Sequence, residues 1–226
     1  EPTFANGTGN MNTIADFEIT GGGGNNAGSD SKDMGADVSL VGPDVEDTPA
    51  PAPTPPTLSF YLTNPSGSGA AQGSPHNSLG GYRSTTQVSA SAMKNLFDDV
   101  TVAESIVGDT EYRFLDVYNS GDSSATKVQV FVSSDTSSSG TEITLGYNST
   151  NQPHEDSWDG EDVANEDTAP ASPSLTFGTY TRASPLHLGT IPAGRSVRIC
   201  VKRTVTAGVP WTARDVGTIA VRYLGD

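Results

Sequence analysis

The sequence predicts an all-β protein: an antiparallel β-sandwich preceded by an extended N-terminal arm. Three observations predict this fold, namely short runs rich in Val, Ile, Thr, Phe and Tyr, period-two alternation within those runs, and turn signals between them. The 226 residues include 25 glycines and 15 prolines, a content that suits turn-rich β structure better than a helical bundle. Ig-like and jelly-roll-like strand arrangements both fit this pattern.

The predicted strands begin at Leu58 and cover residues 58–63, 111–119, 126–134, 141–147, 174–180, 195–205 and 218–224. In the third of these runs Val128, Val130 and Val132 fall on one side, as strand alternation requires. The segments "NSGD", "SSSG" and "IPAG" supply turns between runs. One short helical turn is expected around residues 91–97, with little helix elsewhere.

Residues 1–48 are expected to form an extended acidic arm, 49–57 a proline-rich spacer, and 58–226 the β-sandwich domain. Low hydrophobicity and excess acid predict no independent core in the arm, and "PAPAPTPP" predicts a semi-rigid spacer. Ile14, Phe17 and Ile19 alternate like the anchors of a strand that is added to another surface. The alternative is a disordered tail with accidental apolar residues.

The net charge of −15 is concentrated in two segments. Residues 1–57 hold nine acids against Lys32, and residues 155–167 hold seven acids with no base, so the rest of the chain is formally neutral. This charge argues against nucleic acid as a partner, because phosphate binding needs a basic surface. Adaptation to high salt would explain an acidic chain with four lysines, but it would spread the acids more evenly. No apolar run approaches the roughly 18 residues that cross a bilayer, so no membrane insertion is expected.

The second acidic segment is "HEDSWDGEDVANED", residues 154–167, which we call the acidic loop. Placing Gly160 at the sixth position of a calcium-binding loop gives the ligand order Glu155, Ser157, Asp159, the Glu161 carbonyl and Glu166. Calcium is therefore the one cofactor that the spacing suggests, although no helices flank the loop. A loop of solvated carboxylates is the alternative.

Trp158 lies in the middle of the acidic loop and suggests a glycan contact by ring stacking. The alternative places the indole against the sandwich as a packing residue. Under the first interpretation the partner would be a glycan on a host surface.

No set of residues in catalytic roles can be assembled, so the chain is not expected to be an enzyme. His76, His154 and His187 lie far apart in the sequence and form no zinc-binding spacing. Cys200 is the single cysteine, which excludes an internal disulfide; a packed thiol is the expected role.

Residues 195–226 carry an excess of basic side chains, among them Arg198, Lys202 and Arg222. This predicts an interface in which the acidic arm of one copy docks across the basic strands of a neighbour. Pairing of these cations with local acids such as Asp135 or Glu142 is the alternative.

Six short motifs occur in a characteristic order: "NLFDDV" (95–100), "GDTEYR" (108–113), "VSSDT" (132–136), "NEDTAP" (165–170), "LGTIPAG" (188–194) and "RTVTAG" (203–208). On these motifs the region 58–226 resembles a family of virion structural proteins of tailed bacterial and archaeal viruses. The resemblance implies a β-sandwich in the capsid, tail or fibre of a virion, with copies of itself and other virion proteins as partners, and no catalytic residues. A cell-surface carbohydrate-binding or adhesion module is the alternative function.

Overall fold

The computed structural model describes residues 3–4, 19–21, 52–90, 94–171, 175–209 and 215–225. The chain divides into two units, Glu1–Ala52 and Pro53–Asp226. In the first unit strand β1 (Thr3–Phe4) pairs antiparallel with β2 (Ile19–Gly21). Across the described ranges no helix is long and apolar enough to span a bilayer.

The second unit contains two antiparallel sheets. Their strands are β3 (Leu58–Asn64), β4 (Tyr82–Gln87), β5 (Asp109–Asn119), β6 (Ala125–Ser134), β7 (Thr141–Tyr147), β8 (Phe177–Gly178), β9 (Leu186–Ile191), β10 (Ser196–Val205) and β11 (Thr218–Arg222). One sheet has the order β4-β3-β5-β10-β7-β8, and the other has the order β11-β6-β9. The predicted all-β, antiparallel β-sandwich fold is confirmed.

The core between the sheets is formed by alternate residues of the long strands. On β6 it takes Val128, Val130 and Val132, as the alternation predicted, and on β10 it takes Val197 and Ile199. All five side chains are at most 8% exposed. Because successive strand residues point to opposite faces, the residues of β10 that alternate with these, among them Arg198 and Cys200, must lie on the outer face of the six-stranded sheet.

The acidic loop covers part of that outer face. Phe114 of β5, Cys200 of β10 and Val163 of the acidic loop form a second buried cluster, against which Phe177 packs. Burial raises the pKa of the Cys200 thiol, with a further contribution from the nearby charge of Glu161. Cys200 is thus a packed, protonated thiol, as expected from the sequence.

Part of the proline-rich spacer is bonded to the β5–β6 turn. The Thr54 backbone N–H donates to Asp122 Oδ2 at 3.1 Å, and the Thr57 N–H donates to Asn119 Oδ1 at 3.1 Å. The spacer residues that follow Ala52 therefore lie on the body of the second unit.

The helical turn predicted around residues 91–97 lies partly outside the described residues, which omit 91–93. The described residues 94–97 form a turn and bends, whereas helix α1 spans Val102–Val107. Thr101 caps α1, and Glu104 closes a capping box with it. The T-x-x-E pattern of residues 101–104 is the local sequence signal for this helix. The prediction also omitted β4, whose polar sequence "YRSTTQ" carries little strand signal at a sheet edge.

Candidate functional site

The acidic loop is held against the outer face of the six-stranded sheet by backbone hydrogen bonds. His154 and Ser196 exchange a pair of them, at 2.8 and 3.0 Å. Further along, the Val163 N–H donates to the Leu79 carbonyl at 2.9 Å. The acidic loop is therefore an ordered part of the fold that packs on the sheet. Side chains of the loop and side chains of the sheet contact each other between the two.

Asp116 of β5 is the centre of the polar contacts beneath the acidic loop. Its carboxylate accepts from Arg198 Nε at 3.1 Å and from Arg198 Nη2 at 2.6 Å, and His154 Nε2 lies 3.1 Å from Oδ1. Asp116 is 0% exposed and Arg198 6%. Burial pushes the pKa of Asp116 upward, but the Arg198 charge and these hydrogen bonds outweigh it and lower the pKa to about 2. The carboxylate is thus a buried anion held by buried donors.

Trp158 packs back toward this centre. Its ring centroid lies 4.1 Å from that of His154, and the Arg198 guanidinium lies 4.9 Å from the indole centroid. Gly160 permits this arrangement, because a Cβ there would lie 2.6 Å from the Trp158 ring and 2.5 Å from Arg198 Nη1. Trp158 is half-buried, so it is a packing residue that keeps part of its surface accessible.

The carboxylates of the acidic loop do not converge on one point. Glu155 forms an ion pair with Arg195, and Glu166 forms one with Arg113. Asp156 accepts from Arg83 Nε at 2.8 Å. Much of the loop's charge is therefore neutralised by arginines of the body.

The residues of the predicted calcium site are not gathered into one group, and calcium binding there stays a prediction. Among the residues that the structure describes, Glu155, Asp159 and Glu166 are not brought within ligating distance of one another as a group. Ser157 is exposed between them, and the Glu161 carbonyl accepts from the Gly81 N–H at 3.2 Å. Two of the predicted ligands, Glu155 and Glu166, pair with different arginines.

A different acidic group forms at one end of the β-sandwich. Oxygens of Asp98, Glu111 and Glu166 lie within 4.8 Å of one another. Arg113 and Arg203 are already paired with these carboxylates, and their guanidinium groups oppose a bound cation. Burial raises the pKa of Glu111 to about 7, against the lowering effect of the two arginines. The group is an ion-pair network in which Glu111 and the two arginines are buried, while Asp98 and Glu166 remain partly exposed.

The residues predicted to form an interface between copies lie in different environments. Arg198 is buried and bonded to Asp116 within its own chain, so the prediction that it faces a neighbouring copy is wrong. Lys202 Nζ lies 5.0 Å from the centre of the Phe177 ring, and Arg222 Nε donates to Gln129 Oε1 at 2.8 Å. Their roles between copies stay predictions. Ile14 and Phe17 lie outside the described residues, and of Ile19 the structure describes only the backbone of β2.

A cavity of about 330 Å³ opens beside Trp158. Its apolar floor comes from the outer face of β5, β7 and β10, and its polar wall comes from two loops, 148–152 and 158–161. The polar residues of this wall are Asn148, Thr150, Asn151, Gln152, Asp159 and Glu161.

Several polar groups of this wall are available to a ligand. Asn148 Oδ1 accepts from the Thr150 N–H at 2.8 Å, and Gln152 Oε1 accepts from the Arg198 N–H at 3.0 Å. These bonds fix the two amides through their oxygens. Within the described residues the NH₂ groups of both, and the side chain of Asn151, have no hydrogen-bond partner.

Sequence reasoning named Trp158, Asp159 and Glu161 but missed Asp116, Arg83 and the amides of residues 148–152. The missed signal was the alternation of β5, whose run "EYRFLDVYN" places Asp116 on the face opposite Leu115 and Val117. A charged residue inside such a long strand would have suggested that loops cover the second face. The distant partner Arg198 had no comparable local signal.

No family model matches the chain, and no curated protein matches it. Among solved structures the chain is similar to the crystal structure of the CupB6 tip adhesin from Pseudomonas aeruginosa, with 8% identity and a TM-score of 0.21. The match covers 77% of this chain and 44% of that chain, so it spans less than half of the adhesin structure. A TM-score at this level carries no argument about fold or function.

Proposed function

We propose that this β-sandwich is a carbohydrate-binding module, and that the cavity beside Trp158 takes the sugar. One observation carries the proposal: an aromatic ring and unpartnered amide groups line the same cavity of about 330 Å³. Small-molecule sites are usually concave and largely apolar, with a few placed polar groups that orient the ligand.

The chemistry of the wall suits a polyhydroxyl ligand. Sugar hydroxyls both donate and accept hydrogen bonds, and the free NH₂ groups of Asn148 and Gln152 donate while the carboxylates beside them accept. The accessible part of Trp158 offers an apolar surface to the C–H face of a sugar ring. The volume of the cavity accommodates one or two sugar rings.

The proposal is tested by glycan-array binding of the full chain, followed by calorimetric titration of the best ligand with Asn151→Gly and Trp158→Ala. Asn151 has φ +59°, a backbone conformation that glycine adopts without strain. The Asn151→Gly variant therefore removes the side-chain amide without straining the backbone. Loss of one direct hydrogen bond should weaken binding about threefold to tenfold.

The matched control is Asn77→Gly, which removes the same side chain from an exposed position that does not line the cavity. Trp158→Ala should weaken binding at least as much as Asn151→Gly, but it also removes packing against His154. The Asn151 variant therefore decides the question. A ligand whose affinity is unchanged by Asn151→Gly and Trp158→Ala would refute binding in this cavity.

A structural role in a tailed-virus particle is a second proposal, supported by the order of the six sequence motifs. Several of them lie at strand ends in the fold: "GDTEYR" opens β5, "VSSDT" ends β6, and "LGTIPAG" joins β9 to β10. Under this proposal the localisation is the virion and the partners are copies of itself and other virion proteins. Light scattering should show a closed homo-oligomer for the full chain and its loss after removal of residues 1–57. A monomeric full chain would count against it.

A further inference from the structure

We propose that the cavity beside Trp158 selects sugars that carry an acetamido group over the same sugars with a hydroxyl group at that position. This inference rests on the proposed carbohydrate-binding function and adds the class of ligand. It follows from which ends of the wall amides are free and from the apolar floor of the same cavity.

Two amides of the polar wall are fixed with their NH₂ groups free. Asn148 Oδ1 accepts from the Thr150 N–H at 2.8 Å, and Gln152 Oε1 accepts from the Arg198 N–H at 3.0 Å. Each bond settles which end of the amide is the oxygen. Both side chains are half-buried, so a ligand that fills the cavity removes water from these donors. The ligand must then supply an acceptor, because a donor left without one costs affinity.

A carbonyl oxygen is the ligand group that suits two fixed NH₂ donors. It accepts two hydrogen bonds and donates none. A hydroxyl group also accepts, but it brings a proton that needs an acceptor of its own, and the oxygens of both wall amides are already engaged by backbone N–H groups. An acetamido group supplies the carbonyl oxygen without adding charge.

The N–H of an acetamido group also finds an acceptor at this cavity. Asp159 lines the wall and accepts from the Tyr82 hydroxyl. A carboxylate accepts several hydrogen bonds, so the bond from Tyr82 leaves room for a second donor.

The floor of the cavity suits the methyl end of the acetamido group. Phe114, Leu175 and Cys200 line the cavity, and they belong to the apolar cluster on the outer face of the six-stranded sheet. A methyl group placed on this floor removes apolar surface from water, whereas a hydroxyl group has no apolar part to place there. Trp158 remains available to the C–H face of the sugar ring.

The expected selectivity follows from these two contributions. One added hydrogen bond between neutral groups changes affinity by about threefold to tenfold. Burial of one methyl group adds about threefold to fourfold. The acetamido sugar should therefore bind at least about tenfold more tightly than its hydroxyl parent. A formamido sugar, which keeps the carbonyl and lacks the methyl group, should lie between the two.

The test is calorimetric titration of the full chain with gluco-, galacto- and manno-configured oligosaccharides, each with a hydroxyl, formamido or acetamido group at C2. The variants are Asn148→Asp and Gln152→Glu, which keep the oxygen that accepts from the backbone and replace the NH₂ group by a second oxygen. A hydroxyl group can turn its proton toward that oxygen, but a carbonyl group cannot. Each variant should therefore lower the ratio of acetamido to hydroxyl affinity about threefold to tenfold.

The matched control is Asn77→Asp, which makes the same chemical change at an exposed residue that does not line the cavity. It should leave the ratio nearly unchanged. Hydroxyl sugars that bind as tightly as their acetamido counterparts would overturn the selection while leaving carbohydrate binding intact. A ratio that is the same in the wild type, Asn148→Asp and Gln152→Glu would also overturn it. Failure of all probes to bind would reject the proposed function and this inference together.

Discussion

Replacing Asp116 by Asn should cost about 3–5 kcal/mol of the free energy of unfolding, because it leaves the buried Arg198 charge without its counter-ion. Asn keeps the size of the side chain and one carbonyl oxygen, so the loss reports the charge rather than a cavity. Asp116 is 0% exposed and Arg198 6%, so water cannot replace the missing carboxylate. A loss of this size is a large part of the roughly 5–15 kcal/mol that stabilises a domain.

The matched control is Asp99→Asn, which breaks the ion pair of Asp99 with Lys94. In that pair the acidic side chain is 71% exposed and the basic one 53%, so the same chemical change should cost about 1 kcal/mol or less. Urea unfolding of both variants and the wild type, followed by circular dichroism, measures the two losses. Equal losses for the two variants would refute the assignment of Asp116 as a buried structural anion.

The pH dependence gives a second readout of the same group. The pKa of Asp116 is lowered from its ordinary 3.8 to about 2 in the folded chain. Its contribution to stability is therefore fully present above about pH 4 and is lost as the pH falls through about 2. The difference is worth about 2 kcal/mol. Asp116→Asn should show a shallower loss of stability over that range, and an unchanged slope would contradict the reasoning.

Three further predictions concern the fold. The pKa of Glu111 is raised to about 7 by burial, against Arg203, so wild-type stability should fall as the pH rises from about 4.5 to 7, and Glu111→Gln should flatten that slope in urea melts at several pH values. Thr101→Ala removes the N-cap of α1 and its capping box with Glu104, and should cost about 1 kcal/mol in thermal unfolding, whereas Thr101→Ser should cost little. Leu115→Ala at a site that is 0% exposed should cost about 2–5 kcal/mol in the same assay.

Local patterns predicted the strands, and they did so best where both faces of the strand have a defined environment. Val128, Val130 and Val132 were placed correctly because period-two alternation depends on neighbouring residues alone. The strand predicted over residues 174–180 is reduced to Phe177–Gly178. It is an edge strand beside β7, and its extent depends on pairing that a single sequence does not display.

The acidic loop shows why the site was harder to predict than the fold. In the sequence it is a run of acids without a base, which predicts either a hard cation or solvent as the compensating partner. In the structure Asp156 meets Arg83 and Glu166 meets Arg113, at separations of 73 and 53 residues. Pairings over such distances are set by the strand order, so no local count of charge could reveal them.

These ion pairs also give the acidic loop a role in forming the cavity. The pairs at Glu155, Asp156 and Glu166 lie before and after the stretch that contains Trp158 and Asp159, so both ends of that stretch are attached to the sheet. The cavity wall between them is then held over an apolar floor that includes Phe114. The acids that pair with arginines thus attach the loop to the body before and after the part that lines the cavity. A loop that looks uniformly acidic in the sequence is therefore attached to the body through three of its seven carboxylates.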